Sequence, residues 1–270
     1  MIDLMDDISN TKVGEKQLAI FWLGQNSFVF KTHGGTLIAV DPFFSRPTPA
    51  DVAIEDFYVH EEPPVKAEQF KVGYVFCTHD HLDHTDPATL SKISEHSPRT
   101  VFLGPPESYD HFLRIGIHES RARSLKANET IEIADFMVTP TNSLVGSEKR
   151  GDGKPWTTHY GYIFDFGFAR VYNMGDSSPE MAAEPVKVLE EVLKFSPRIA
   201  ILPIVGDFPG RKPEDALRIA RILKSRIVIP SHYGCFKNRT IDPQVFVDMF
   251  KDDPGIKPIA IDYMGKYIYS

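Results

Sequence analysis

Thr78-His79-Asp80-His81-Leu82-Asp83-His84-Thr85 sets three imidazoles and two carboxylates within six consecutive positions. Just before it, Gly73-Tyr74-Val75-Phe76-Cys77 is an apolar, β-prone run of strand length. Just after it, Asp86-Pro87 reads as a helix start, an N-cap acceptor followed by Pro at the first helical position. The cluster therefore falls in a strand-to-helix turn. Residues two apart in extended backbone share a face, so His79 and His81 point the same way. Asp83 and His84 follow a bend and approach from another side. Neutral imidazole and carboxylate are the usual ligands of zinc, manganese and iron. Two such groups about 3.5–4 Å apart, metal to metal, can share a hydroxide. A solvated, His-rich loop is the competing reading, and the apolar strand directly behind the cluster weighs against it.

Outward from this turn, composition bounds the rest. The chain has 270 residues, 42% of them hydrophobic and 25% charged, enough for a sizeable core in one large domain or two small ones. The net charge of −7 argues against a broad nucleic-acid footprint, though a local basic pocket could still hold a small anionic substrate. No apolar run approaches the roughly 18 residues of a membrane helix. Met1 to Asn10 is acidic where a secretory leader would be basic and apolar. With only Cys77 and Cys235, no disulfide framework is expected, and the cytoplasm is the expected compartment. A homo-oligomer is left open.

No internal repeat or low-complexity tract interrupts the chain. Leu18–Leu23, Ser27–Thr32 and Leu37–Val40 read as short strands, and residues 44 to 70 as a Pro-rich surface excursion. Further strands are expected at 74–77, 100–103, 199–205, 226–229, 259–262 and 267–269. Hairpins are expected over 130–139 and 161–172. Helices are expected at 87–95, 107–115, 184–195, 213–224 and 243–250. Gly146 to Thr158 reads as a polar loop. Hairpins first, then strands alternating with helices, suit two packed sheets covered by helices, an αββα sandwich spanning residues 1–270 as a single domain.

Two more strand ends offer donors. Gly175 permits a tight bend that frees Asp176 to project, and Ile229-Pro230-Ser231-His232-Tyr233-Gly234 projects His232. Alone, Asp176 would read as a helix cap and His232 as a turn residue. Three strand ends carrying such side chains favour one shared site.

His-x-His-x-Asp-His after a core strand resembles the signature of the metallo-β-lactamase superfamily. The Gly175-Asp176-Ser177 turn and Pro230-Ser231-His232-Tyr233 stand where that superfamily places a bridging carboxylate and its last histidine. Trp22-Leu23-Gly24-Gln25-Asn26-Ser27-Phe28, Asp41-Pro42-Phe43 and Phe102-Leu103-Gly104-Pro105 are similar to one branch, the L-ascorbate-6-phosphate lactonase-like metal-dependent hydrolases, and the likeness runs from about residue 17 to 269. The resemblance implies one or two divalent ions, manganese or zinc. His79, His81 and Asp176 would hold one position; Asp83, His84, His232 and again Asp176 the other. Asp41 would lie behind the ligands and accept an imidazole N–H.

The chain departs from this pattern at Thr141-Asn142-Ser143, where another ligand, often His, is expected. Asn142 would be a weaker donor. His159 could reach in, but as a residue flanking a strand it reads first as structural. Fewer imidazoles would favour manganese over zinc. Gln25 and Asn26 are candidates to touch substrate or to support the ligands, and Cys235 reads as a small buried residue. Lys149, Arg150, Lys154, Arg211, Lys237 and Arg239 are candidates to grip a phosphate or carboxylate. The implied chemistry is attack of hydroxide on an ester or lactone, including a phosphorylated sugar-acid lactone. Asp176 would hold the ions, and Asp83 would be free to act as general base if its position lacks a metal. A phosphodiesterase and a metal-binding protein with little turnover are the rival readings.

Overall fold

The computed structural model describes residues 3–143, 158–206 and 208–270. Lys149, Arg150, Lys154 and nearly all of the Gly146–Thr158 loop lie outside the described residues. Among the described residues, fourteen strands form two sheets of seven. The first contains β1 (Leu18–Trp22), β2 (Phe28–Lys31), β3 (Leu37–Val40), β4 (Tyr74–Phe76), β5 (Val101–Gly104), β6 (Ala122–Ser124) and β14 (Lys266–Tyr269), in the order β14-β1-β2-β3-β4-β5-β6. The second contains β7 (Ile131–Ile133), β8 (Phe136–Asn142), β9 (Tyr160–Asp165), β10 (Arg170–Asn173), β11 (Ile199–Pro203), β12 (Ile227–Ser231) and β13 (Lys257–Pro258), in the order β13-β12-β11-β10-β9-β8-β7.

Side-chain alternation explains the layering. In β1, Leu18, Ile20 and Trp22 enter the core between the sheets, while Ala19 and Phe21 pack on the outer face. That outer face is covered by Leu90 and Ile93 of the helix Pro87–His96 and Phe112 of the helix Pro106–Arg114. Both phases of β1 are buried, as a sheet with a layer on each side requires. Phe76 anchors the middle, with its ring 5.3 Å from Tyr162 and 5.2 Å from Phe164 across the sheet interface. On the second sheet, the helix Pro213–Leu223 buries Ala216, Ile219, Ala220 and Leu223. The layers are those of the expected αββα sandwich. Among the described residues, no helix is long and apolar enough to cross a membrane.

Several local expectations are corrected. The helix expected at 184–195 is broken into Pro185–Val188 and Glu190–Leu193. Leu189 leaves helical geometry (φ −86, ψ 2) and is fully buried between the two pieces. No strand forms at 259–262; β13 pairs with β12 one step earlier, and the chain then crosses to β14 in the other sheet. Pro258, lacking an N–H, suits this edge position. The excursion at 44–70 holds two short helical turns, Ile54–Phe57 and Ala67–Gln69. A helix at Leu4–Asn10 and the edge strand β6 had no expectation.

Parallel pairing of β3 with β4 and of β11 with both β10 and β12 brings the ends of these strands to one rim of the sandwich. Antiparallel pairing puts the β1–β2 turn and the start of β9 at that rim too.

Candidate metal centre

The motif turn follows β4 and is closed by His84 N and Thr85 N, which donate to His81 O at 3.0 and 2.7 Å. Asp86 then caps the helix Pro87–His96 by accepting from Ala88 N. The alternation expected in the motif holds: Asp80 points away from its neighbours and receives His111 Nδ1 at 2.7 Å, while His79 Nε2 and His81 Nδ1 come within 2.9 Å. Tyr160 N donates to Thr78 O at 2.9 Å, which joins the start of β9 to this turn.

That join settles the position of His159. It is buried, and its ring stacks on His79 with centroids 3.8 Å apart. His79, His81 and His159 form one group whose ligand atoms lie within 4.8 Å of one another. Asn142 does not take this place: its side chain is exposed at the end of β8. Asn142 pairs with Tyr160, so the neighbouring strand delivers His159 where β8 offers no imidazole. His159, which reads first as structural in the sequence, is thus placed beside the two motif imidazoles as a further candidate donor.

A second group comprises Asp83, His84 and His232, and a third links His79 and His84 with Asp176. Asp176 lies between the outer two groups. Its Oδ1 is 2.8 Å from His232 Nε2 and 3.6 Å from His84 Nε2, and its Oδ2 is 3.6 Å from His79 Nε2. Asp83 Oδ2 lies 3.6 Å from His84 Nε2 and 3.7 Å from His232 Nε2. The structure thus brings together His79, His81, Asp83, His84, Asp176 and His232, with His159 added.

Three other expected residues stand behind these donors. Asp41 is fully buried and accepts from Thr78 N, Thr78 Oγ1, Asn26 Nδ2 and His84 Nδ1 at 2.7, 2.7, 2.7 and 2.6 Å. The His84 bond commits Nδ1 as donor and aims Nε2 into the centre. Gln25 and Asn26 are bonded to the donors' surroundings. Gln25 Nε2 donates to Asp83 Oδ2 at 2.8 Å, and Asn26 donates to Asp41 and to Asn173 Oδ1; both are buried. Gln25, Asp41 and His232 all adopt positive φ (53, 45 and 62). Such backbone is costly for these residues and persists where surrounding bonds impose it. Here His232 N donates to Gln25 O at 2.9 Å and Asp41 N to Phe76 O at 2.9 Å.

Electrostatics divides the rings. Burial, reinforced by neighbouring imidazoles, holds His79 well below the usual range and also lowers His81. Burial takes His159 down to about 3. Burial thus favours the neutral, lone-pair-bearing form of all three rings. Burial also opposes charge on His84, but Asp83, Asp41 and Asp176 outweigh it and lift the ring to about 9. Burial would raise Asp83, yet His84 and His232 hold it below the carboxylate range. Burial would likewise raise Asp176, yet Arg211, His232 and His84 hold it well below.

Among the described residues, Arg211 is the expected anion-gripping residue placed at the centre, with Nη1 2.9 Å from Asp176 Oδ2. Lys237 donates to Glu55 O, away from these groups. Arg239 has no described side-chain contact there. Cys235 is buried beside Arg46 and belongs to none of the metal-capable groups.

All the converging atoms are imidazole nitrogen or carboxylate oxygen, the donor set of a borderline divalent ion, so the residues fit a metal. Two ligand groups sharing a carboxylate on the rim of an αββα sandwich define a class of metal centre. The chain belongs to the superfamily of that class: the family model described as beta-lactamase superfamily domain matches residues 19–232. Among curated relatives, a "UPF0173 metal-dependent hydrolase" of Myxococcus xanthus is 26% identical over 222 residues, covering 80% of this chain and 71% of the relative. One of Koribacter versatilis is 29% identical over 229 residues, covering 84% and 88%. Among solved structures, the metallo hydrolase Igni18 of Ignicoccus hospitalis has a TM-score of 0.67 at 20% identity, covering 94% of this chain and 99% of its own. An isothiocyanate hydrolase from Delia radicum gut bacteria has a TM-score of 0.68 at 18% identity, covering 93% and 98%. These two share the fold.

Proposed function

We propose that this metal-dependent hydrolase opens an ester or lactone of a small anionic molecule, with a phosphorylated sugar-acid lactone as the narrowest form of the reading. The observation that carries it is Asp176 set between His79-His81-His159 and Asp83-His84-His232, all at one rim of the sandwich. His79, His81, His159 and Asp176 would hold one divalent ion; Asp83, His84, His232 and Asp176 would hold a second. Such ions polarise a carbonyl or phosphoryl oxygen and acidify water.

The chain's own residues supply the rest. Asp41 fixes the His84 tautomer, and Gln25 orients the Asp83 carboxylate. If only the first position is filled, the ionised, 25% exposed Asp83 is placed to take a proton from water. With His159 in the first group, the shortage of imidazoles that favoured manganese disappears, and zinc suits the site at least as well. The similarity to the lactonase-like branch supports the lactone. The two buried, unpaired thiols of Cys77 and Cys235 support a cytoplasmic setting.

A phosphodiester is the second reading. A guanidinium 2.9 Å from the shared carboxylate suits a reacting centre that carries its own charge.

The test is metal analysis of purified protein, paired with hydrolysis of p-nitrophenyl acetate, sugar lactones and bis-p-nitrophenyl phosphate before and after chelation. Bound Zn²⁺ or Mn²⁺ and turnover that chelation abolishes are expected, with both lost in His81→Ala and Asp83→Ala. Full metal content and turnover in those two variants would refute the assignment.

A further inference from the structure

Arg211 is a fixed positive charge set against donors that themselves call for a cation. Its Nη1 lies 2.9 Å from Asp176 Oδ2, its Nε donates to Ser177 O at 2.9 Å, and its guanidinium covers the Phe208 ring at 4.6 Å. The side chain is only 14% exposed. The loop carrying it is pressed onto the Asp176 turn. Gly210 has φ +85, and a Cβ there would fall 2.0 Å from Ser178 O, so no other residue fits without moving the loop. The fully buried hydroxyls of Ser177 and Ser178 add polar atoms with no described hydrogen-bond partner to the same wall.

The charges make this placement informative. A guanidinium so near Asp176 weakens the hold of His79, His81, His159 and Asp176 on any cation. A neutral donor would steady Asp176 without that cost. Asp41, Asp83 and Asp176 are the carboxylates of the centre. Two divalent ions together with Arg211 would outweigh them and make the loaded centre cationic. Arg211 Nη2 makes no hydrogen bond among the described residues, which leaves that edge of the planar guanidinium available.

We propose that Arg211 selects an oxyanionic substrate: it gives up Asp176 to the bound cations and takes the substrate's carboxylate or phosphate in its place. The inference rests on the metal-dependent reading above. Metal and anion then bind cooperatively, because each favours the arrangement in which Arg211 has left Asp176.

Calorimetric titration with Mn²⁺ alone tests the first half, on wild type, Arg211→Gln and Arg211→Lys. Titration of the Mn²⁺-loaded proteins with inorganic phosphate and, separately, acetate tests the second and distinguishes the two anion types. Arg211→Gln is expected to bind Mn²⁺ about threefold tighter or more, since a neighbouring cation is gone. It is expected to bind the preferred anion about tenfold weaker, the loss of charge-assisted hydrogen bonds. Arg211→Lys, which keeps the charge and serves as folding control in circular-dichroism melts, keeps wild-type Mn²⁺ affinity. It loses the two-point grip, weakening the anion about threefold.

Unchanged or weaker Mn²⁺ binding in Arg211→Gln, unchanged anion binding in either variant, or a loaded wild type that binds neither anion would overturn the proposal. Wild-type protein that shows the expected binding yet hydrolyses nothing would leave Arg211 its role and remove the hydrolase reading. Hydrolysis by a wild type whose variants show no anion effect would do the reverse.

Discussion

Asp41 accepts four hydrogen bonds while fully buried, two from Thr78 and one each from Asn26 and His84. Alanine there would strand every donor, and a loss of about 3–5 kcal/mol in urea unfolding is expected. Asp41→Asn keeps the shape but no longer enforces the His84 tautomer. Metal affinity by equilibrium dialysis should fall about 10–100-fold. The seventh donor shows where single-residue reading stops. His79, His81 and His84 announce themselves by spacing, and Asp176 and His232 by their turns. His159 has no such context: its neighbours Thr158 and Tyr160 are ordinary for a strand start, and the register of β8 against β9, together with the Tyr160–Thr78 backbone bond, carries it onto His79. Asn142, by contrast, stands out in the sequence because it occupies the position where the resemblance implies a ligand. Metal analysis should separate the two: His159→Asn loses bound metal, whereas Asn142→Ala keeps it.

At the scale of elements, what the sequence disclosed follows burial. Strands with apolar residues in both phases, such as β1, β11 and β12, were legible because nothing else of that length buries every side chain. The edge strand β6 has the pattern Ala-Arg-Ser with two exposed residues, so no periodicity marks it. The helix at 184–195 failed for a different reason. Its apolar spacing is helical, but burial of Leu189 between two short pieces overrides propensity. The turn after β10 is where an element meets the site most tightly. Gly175 has φ +63, and a Cβ there would come within 2.9 Å of Thr78 Cβ, the residue tied to Asp41. Gly175→Ala is therefore expected to cost about 1–3 kcal/mol in backbone strain. It should also weaken metal binding, since relief requires Thr78 or Asp176 to shift. Thermal melts and dialysis on the same preparation check both; wild-type metal affinity would show that the turn yields without disturbing the donors.

Across the whole molecule, the donors divide between the two sheets. His79, His81, Asp83 and His84 follow β4 of the first sheet, whereas His159, Asp176 and His232 flank β9, β10 and β12 of the second. Sequence order could not reveal this division, because it comes from the way the sheets face one another, here through Phe76, Tyr162 and Phe164. A cation shared by these residues therefore ties the sheets together at the rim, in addition to the apolar contacts between them. Because the full donor set exists only in the folded chain, metal binding adds directly to folding stability. At a hundredfold excess of free ion over Kd the gain is about 2.7 kcal/mol. For a chain of this size that corresponds to a rise of roughly 5–10 °C in the unfolding midpoint. Scanning calorimetry over increasing Zn²⁺ or Mn²⁺ should show the midpoint climbing with the logarithm of ion concentration and returning on chelation. His79→Asn and His232→Asn, one from each sheet, should both flatten that climb. If only the first-sheet variant did so, the ion would be held by the motif turn alone, and the tie between sheets would be absent.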